Sequence, residues 1–291
     1  DFESVTILKD ANAAALYGAR GGVGVVVITT KQGKIGETNY TARFQTGFTA
    51  PPDFSRLNLM SSTELLAYEE RIGLVTKTTA QLPGWTYSRN NPANANKTEA
   101  QLQVFDQNLE TLRNNNTPLS DYFFRTGTSK NYELNASGGS EKIRFFASGS
   151  VFDQQGIDKT SSLTRYTGRY NLMNNNNKLT IHWNNLISYA ERIDAVGDLY
   201  GNSSINPFQM IYRAKPYDNP YLEDGTLNFG GGGTNLALKS VANTLESNMS
   251  SRDKNKQMKL NSGLTLAYDL YKCLTLKNVF GIDVSNTLRE T

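Results

Sequence analysis

Apolar and polar residues alternate with a period of two along much of this chain, which marks strands with two unlike faces. Tyr40, Ala42, Phe44, Thr46 and Phe48 share one side, while Thr41, Arg43, Gln45 and Gly47 share the other. The pattern returns at 132–137, 142–151, 165–172 and 179–189. Two last runs, 258–270 and 274–284, carry Leu260, Leu264, Leu266 and Tyr268, then Leu276, Phe280 and Ile282 on their apolar sides. Within the five runs up to 189, charges keep to one face, and within the first three Phe146 is the one bulky residue on the polar side. Several runs reach the ~9–11 residues that a tilted strand needs to cross a bilayer, longer than is usual in soluble sheets.

The connections alternate too. They are long at 51–127, short at 138–141, moderate at 154–162, short at 173–177, long at 193–255 and short at 271–273. Tight turns at one end and long loops at the other are the habit of outer-membrane barrels. If the segment before Tyr40 leaves from the periplasm, every long connection falls on the extracellular side. Inside 51–127 a helical stretch is expected over 62–72, and the Asn-rich 90–96 reads as irregular loop.

The opening residues follow another rule. Residues 3–8 read as a short strand, and 9–17, with alanine at 11, 13, 14 and 15, as a short helix with Asp10 in its first turn. Gly18 stops that helix, 20–24 form a glycine-rich loop, and 25–30 is a β-branched strand. The fold class expected is mainly β: a partial transmembrane antiparallel barrel of about seven strands, preceded by a strand-helix-strand unit.

Composition narrows the function. A hydrophobic fraction of 38% is thin for a soluble enzyme of 291 residues. Thirty basic residues against 27 acidic leave +3, with no basic stripe, so nucleic acid is not an expected partner. One cysteine, Cys273, and one histidine, His182, supply neither a disulfide framework nor a zinc cluster. No apolar run reaches the length of a membrane helix, and the first residues lack the pattern of a signal peptide. The chain opens at Asp1 without methionine and stops near a strand-like run, so it reads as cut from something longer.

Candidate chemistry is sparse. Gly18, Gly21, Gly22 and Gly24 resemble a phosphate cradle in composition, but a strand and not a helix N-terminus follows, so they are read as a tight turn. Arg20 beside them could guide substrate, or bond loop carbonyls as a structural arginine. His182 lies on a polar strand face without a second histidine or a glycine-framed nucleophile, so no catalytic residue, metal ligand or cofactor is expected. In 193–255, Tyr200, Phe208, Tyr212, Tyr217, Tyr221 and Phe229 accompany Asp218, Glu223 and Asp224, a mixture suited to stacking on sugar rings and bonding hydroxyls. Tyr212, Tyr217 and Tyr221 are the substrate-binding candidates; the alternative is that these rings pack the loop onto itself. The glycines at 230–233 suggest a mobile tip. Tyr40, Trp183, Tyr189 and Tyr268 fit an interfacial aromatic belt.

The segment ESVTILKDANAAALYGARGGVGVVVITTKQGK at 3–34 closely resembles the end of the plug in SusC/RagA-type TonB-linked transporters. DYFFRTG at 121–127, NYELNASGGSEKIRFFASGSVFDQQGI at 131–157 and the region of Arg165, Tyr166 and Arg169 are similar to the opening barrel strands of that family. Gly22 and Val23 depart from the usual Ala-Asn, and the resemblance thins over 193–255, where loop divergence is expected.

The resemblance implies 1–34 as the end of a plug and 39–291 as the start of a barrel of about 22 strands. Arg20, Gly21, Gly22 and Gly24 would then belong to a plug loop with a gating role. It further implies the bacterial outer membrane, energy delivered by the TonB complex, a SusD-like surface lipoprotein as partner, and a glycan or peptide oligomer as cargo. Alternatives are a non-transporting receptor or adhesin on the same scaffold, and a soluble β-rich glycan-active domain, which would need a paired-carboxylate cleft.

Overall fold

A computed structural model describes residues 2–9, 15, 18, 23–78, 80–195, 206–229, 241–250 and 252–290. Strands β1 (Phe2–Leu8) and β2 (Val25–Thr30) pair antiparallel as a separate two-stranded sheet. Most of the helix expected over 9–17 lies outside the described residues; Gly18 has φ +64°, in the left-handed region where glycine is favoured.

Seven strands form the main sheet: β3 (Gly36–Thr49), β4 (Gly127–Gly139), β5 (Ile143–Gln155), β6 (Ser162–Asn176), β7 (Leu179–Ala195), β8 (Arg252–Tyr271) and β9 (Leu274–Glu290). Each pairs antiparallel with its sequence neighbours, so the order is β3-β4-β5-β6-β7-β8-β9. Three tight turns close one end, and the three longer connections all lie at the other, as the alternation predicts. The chain is mainly β and carries a partial barrel wall.

Pairing carries the two faces coherently across the wall. On β7, Ile181, Trp183, Ile187 and Tyr189 stand opposite Leu266, Leu264, Leu260 and Met258 of β8. This apolar face is bare: Tyr40 is 79% exposed, Leu134 68% and Phe280 56%. A contiguous apolar surface of that kind needs a nonaqueous neighbour.

The tyrosines bound that surface only in part as expected. Tyr132, Tyr166 and Tyr189 fall in one cross-strand row toward the loop end. Tyr268 pairs with Leu179 at the turn end, ten positions from Tyr189 along β7. At ~3.3 Å per residue and a tilt near 40°, ten positions rise about 25 Å, the height of an apolar barrel band. Tyr40 and Trp183 sit between the two rows, in the middle of the band.

Strands continue beyond the tyrosine row, and there charges enter the outward face. Lys130 stands opposite Asp153, and Glu191 opposite Lys256. Lys254 pairs with Glu191 at 2.8 Å and Lys256 with Glu290 at 2.6 Å. The strands are 13–20 residues long because they cross the band and project past it into water.

Candidate functional site

The long connections are not loose. In the first, α1 (Ser62–Thr76), α2 (Pro83–Thr86), α3 (Glu99–Asn114) and α4 (Leu119–Phe123) follow one another; in the third, α5 (Pro207–Arg213) and α6 (Val241–Ser250) do. Capping boxes start α1, from Ser61 and Glu64, and α3, from Thr98 and Gln101. The Asn-rich stretch contains a 3₁₀ turn at Pro92–Asn94, and Asn94, only 5% exposed, donates to the carbonyls of Thr86 and Ser88 at 2.9 Å each. The stretch carries no α-helix or strand, and the Asn94 amide replaces the ladder bonds that its irregular backbone lacks.

The two long connections share their cores. Leu119, Phe123 and Phe124 of the first pack with Met210, Ile211, Val241 and Leu245 of the third. Leu66 and Leu109 of the first enclose Tyr217 of the third. Bonds stitch the seam: Thr117 N–H to the Pro216 carbonyl at 2.7 Å, Asn115 Nδ2 to the Tyr217 carbonyl at 2.7 Å, and Thr117 Oγ1 to the Asp218 carbonyl at 2.8 Å. The middle connection joins through Arg125 N–H to the Ile157 carbonyl at 2.7 Å and Lys159 N–H to the Phe123 carbonyl at 3.0 Å. All three connections make one cap.

At its centre is Glu69, 2% exposed. Its carboxylate accepts from Gly84 N–H at 2.9 Å and Tyr217 hydroxyl at 2.7 Å, with Lys215 Nζ at 3.5 Å. A carboxylate this deep is tolerable only with such partners. Burial, and then the bond to Glu69, push the Tyr217 hydroxyl far above its ordinary pKa, so it stays a donor. Burial likewise raises the adjacent Asp218 carboxyl.

Beside this centre a groove of about 790 Å³ runs between α1 and the segment after α5. Leu59, Met60, Leu65, Tyr68, Ile72 and Tyr212 give it an apolar lining with Glu64 and Arg213 among the polar ones. Tyr68 and Tyr212 are 45% and 58% exposed. The groove can hold an extended apolar or ring-bearing ligand.

The three tyrosines singled out from sequence therefore stand in three settings. Tyr212 lines the groove, Tyr217 is buried beneath it and bonded to Glu69, and Tyr221 packs on the first cluster with its ring centroid 5.9 Å from that of Tyr122. Tyr68, Leu59 and Met60 went unnoticed in the sequence, although Tyr68 lies on the helix expected over 62–72. Arg20, Gly21, Gly22 and the glycines at 230–233 lie outside the described residues. Gly24 is described, with φ +106° where the chain enters β2, and a β-carbon there would lie 3.3 Å from the Leu8 carbonyl oxygen. Among the described residues no group of His, Cys, Asp and Glu could hold a metal ion, and no helix is long and apolar enough to cross a membrane.

No family model matches the chain. Among curated proteins it is 25% identical to TonB-dependent receptor P3 of Formosa agariphila over 293 residues, covering 99% of this chain and 25% of that protein. It is 28% identical to TonB-dependent receptor SusC of Bacteroides thetaiotaomicron over 228 residues, covering 76% of this chain and 19% of that protein. Among solved structures it resembles the RagAB peptide importer in the closed-closed state, with a TM-score of 0.73 at 24% identity, over 99% of this chain and 32% of that one. The open-open state gives a TM-score of 0.70 at 25% identity with the same coverage. The chain thus spans about a quarter or less of the curated receptors it matches. Sequence likeness along its length and a shared fold make the chain similar to TonB-dependent receptors of the SusC and RagA kind.

Proposed function

We propose that the whole receptor imports an oligomeric nutrient across the bacterial outer membrane, driven by the TonB complex and paired with a SusD-like surface lipoprotein. In this reading 1–34 closes a plug, 39–291 opens the barrel, outer-membrane lipid covers the apolar face, and the cap faces outward to meet cargo. Arg20, Gly21, Gly22 and Gly24 are the candidates for a gating role in the plug. No covalent chemistry takes part, and no cofactor or metal is involved.

One observation carries the reading: a wall whose apolar face needs a bilayer has all its longer connections gathered at one end, around a groove. Among cargoes, the aliphatic lining of Leu59, Met60, Leu65 and Ile72 favours a peptide with apolar side chains, which the solved peptide importers support. Tyr68 and Tyr212 favour glycan stacking as the second reading.

The test is uptake of labelled oligopeptides and oligosaccharides by cells carrying the whole receptor, with and without TonB. TonB-dependent accumulation of one class is expected, and Tyr212→Ala should weaken its binding by up to about tenfold, the value of one aromatic contact. Binding without accumulation would replace import by a non-transporting receptor. Unchanged affinity in both Tyr212→Ala and Tyr68→Ala would move the cargo site elsewhere.

A further inference from the structure

Between the small sheet and the wall, residues 31–35 cross onto the polar face of β5 and β6. Asn171 of β6, only 5% exposed, donates from Nδ2 to the Lys31 carbonyl at 2.8 Å and to Thr30 Oγ1 at 3.3 Å. Gly33 is buried, and a β-carbon on it would stand 2.4 Å from both the nitrogen and the oxygen of Phe145. The linker therefore lies directly on the strand backbone, where no side chain fits. Phe146, a bulky residue on the polar face, follows Phe145 in β5 and is 4% exposed. The remaining crevice among Gln32, Gly33, Arg144, Asn171, His182 and Asn184 is about 10 Å³, the space of a single water at most.

The small sheet is a separate unit from the wall. Among the described residues Val5, Ile7, Val26 and Ile28 are each more than half exposed, while Leu8, Val25 and Val27 are half-buried.

We propose that residues 30–33 are a fixed anchor on the wall, with Asn171 as its positioning residue, so that force on the amino-terminal side releases the chain only as far as Thr30. The role in transport rests on the import reading above; the anchor does not. Under that reading the anchor keeps the plug's carboxy-terminal end registered against β5 and β6 while the rest moves, so that the plug returns to one place.

The experiment is single-molecule pulling on the whole receptor in a bilayer, with the handle on the amino-terminal side of β1. The expected result is release that halts at Thr30, followed by a separate step for the linker. Asn171→Leu should shorten the lifetime of that halt about tenfold under constant force, as loss of hydrogen bonds to a buried donor does. Because that variant could fold poorly, Thr30→Cys with Asn171→Cys in a Cys273→Ser background, bridged by a short thiol crosslinker, should restore or lengthen the halt. Release that runs through the linker without a halt in the unmodified receptor, or a halt unchanged by Asn171→Leu, would overturn the proposal. Uptake measured on the same proteins separates the two ideas. A halt without TonB-dependent uptake removes import and leaves the anchor, while loss of uptake in the bridged receptor shows that the linker must leave the wall.

Discussion

The wall and the cap of this chain solve the burial problem in opposite ways. In the wall, large apolar residues such as Leu134 and Phe280 remain mostly exposed, and the strands are held by long antiparallel ladders. In the cap, Leu66, Trp85, Phe123 and Met210 are each 3% exposed or less, as in a water-soluble domain. The two regions suit different solvents: hydrocarbon makes an outward Leu stable and an unpaired backbone group costly, while water does the reverse. A single residue exchange should therefore have opposite consequences in the two regions.

The largest effect is expected in the cap. Glu69→Ala strips the bonds to Gly84 N–H, Tyr217 hydroxyl and Lys215, leaving three donors without their acceptor. Breaking a buried charged cluster costs about 3–5 kcal/mol. Hydrogen exchange should show α1, α2 and the 215–218 segment losing protection together, with the wall strands unchanged. Protection lost throughout the sheet would mean that wall and cap fold as one unit.

Next comes the wall. Leu264 lies on the apolar face between Trp183 and Phe280, and Val279 lies beside it on the polar face. Leu264→Arg should destabilise the whole receptor in bilayers by about 2–4 kcal/mol, as for an arginine near the midplane. Val279→Arg should change stability little. Equal costs in denaturant titrations would show that the faces are not lipid and lumen.

The smallest effect is electrostatic and confined to the cap. Burial pushes the Asp158 carboxyl upward, but bonds from Ser161 and Thr160 outweigh it and hold its pKa below the ordinary value. A lowered folded-state pKa gives stability that is present above the unfolded value, about 3.9, and is lost as pH falls through the folded one. Exchange protection of 156–161 should accordingly hold at neutral pH and fail below about pH 4, and Asp158→Asn should remove that acid dependence. Acid loss that persists in Asp158→Asn would assign it to another carboxylate.

Much of the wall was legible from sequence because a period of two with charges on one face admits few other structures. The turns followed from connection lengths, and β2 matched its β-branched run residue for residue. The cap was half legible. Ser61 with Glu64 begins the helix expected there, but the equally written Thr98 with Gln101, ahead of Leu102, Phe105, Leu109 and Leu112, also begins one, inside a connection that strand periodicity alone does not divide. Phe146 stands out on a polar face in the sequence, and it is buried in the fold beside the backbone that the linker covers.

The sequence by itself determined which residues alternate, where the chain turns, and that one face of every strand is apolar, because these are properties of neighbours along the chain. Only the tertiary structure decided that connections over a hundred residues apart share one core, that Tyr217 is spent on Glu69 while Tyr212 faces a groove, and that Asn171 holds the linker. Those pairings depend on distance in space, and no local pattern encodes which buried donor will meet which buried acceptor.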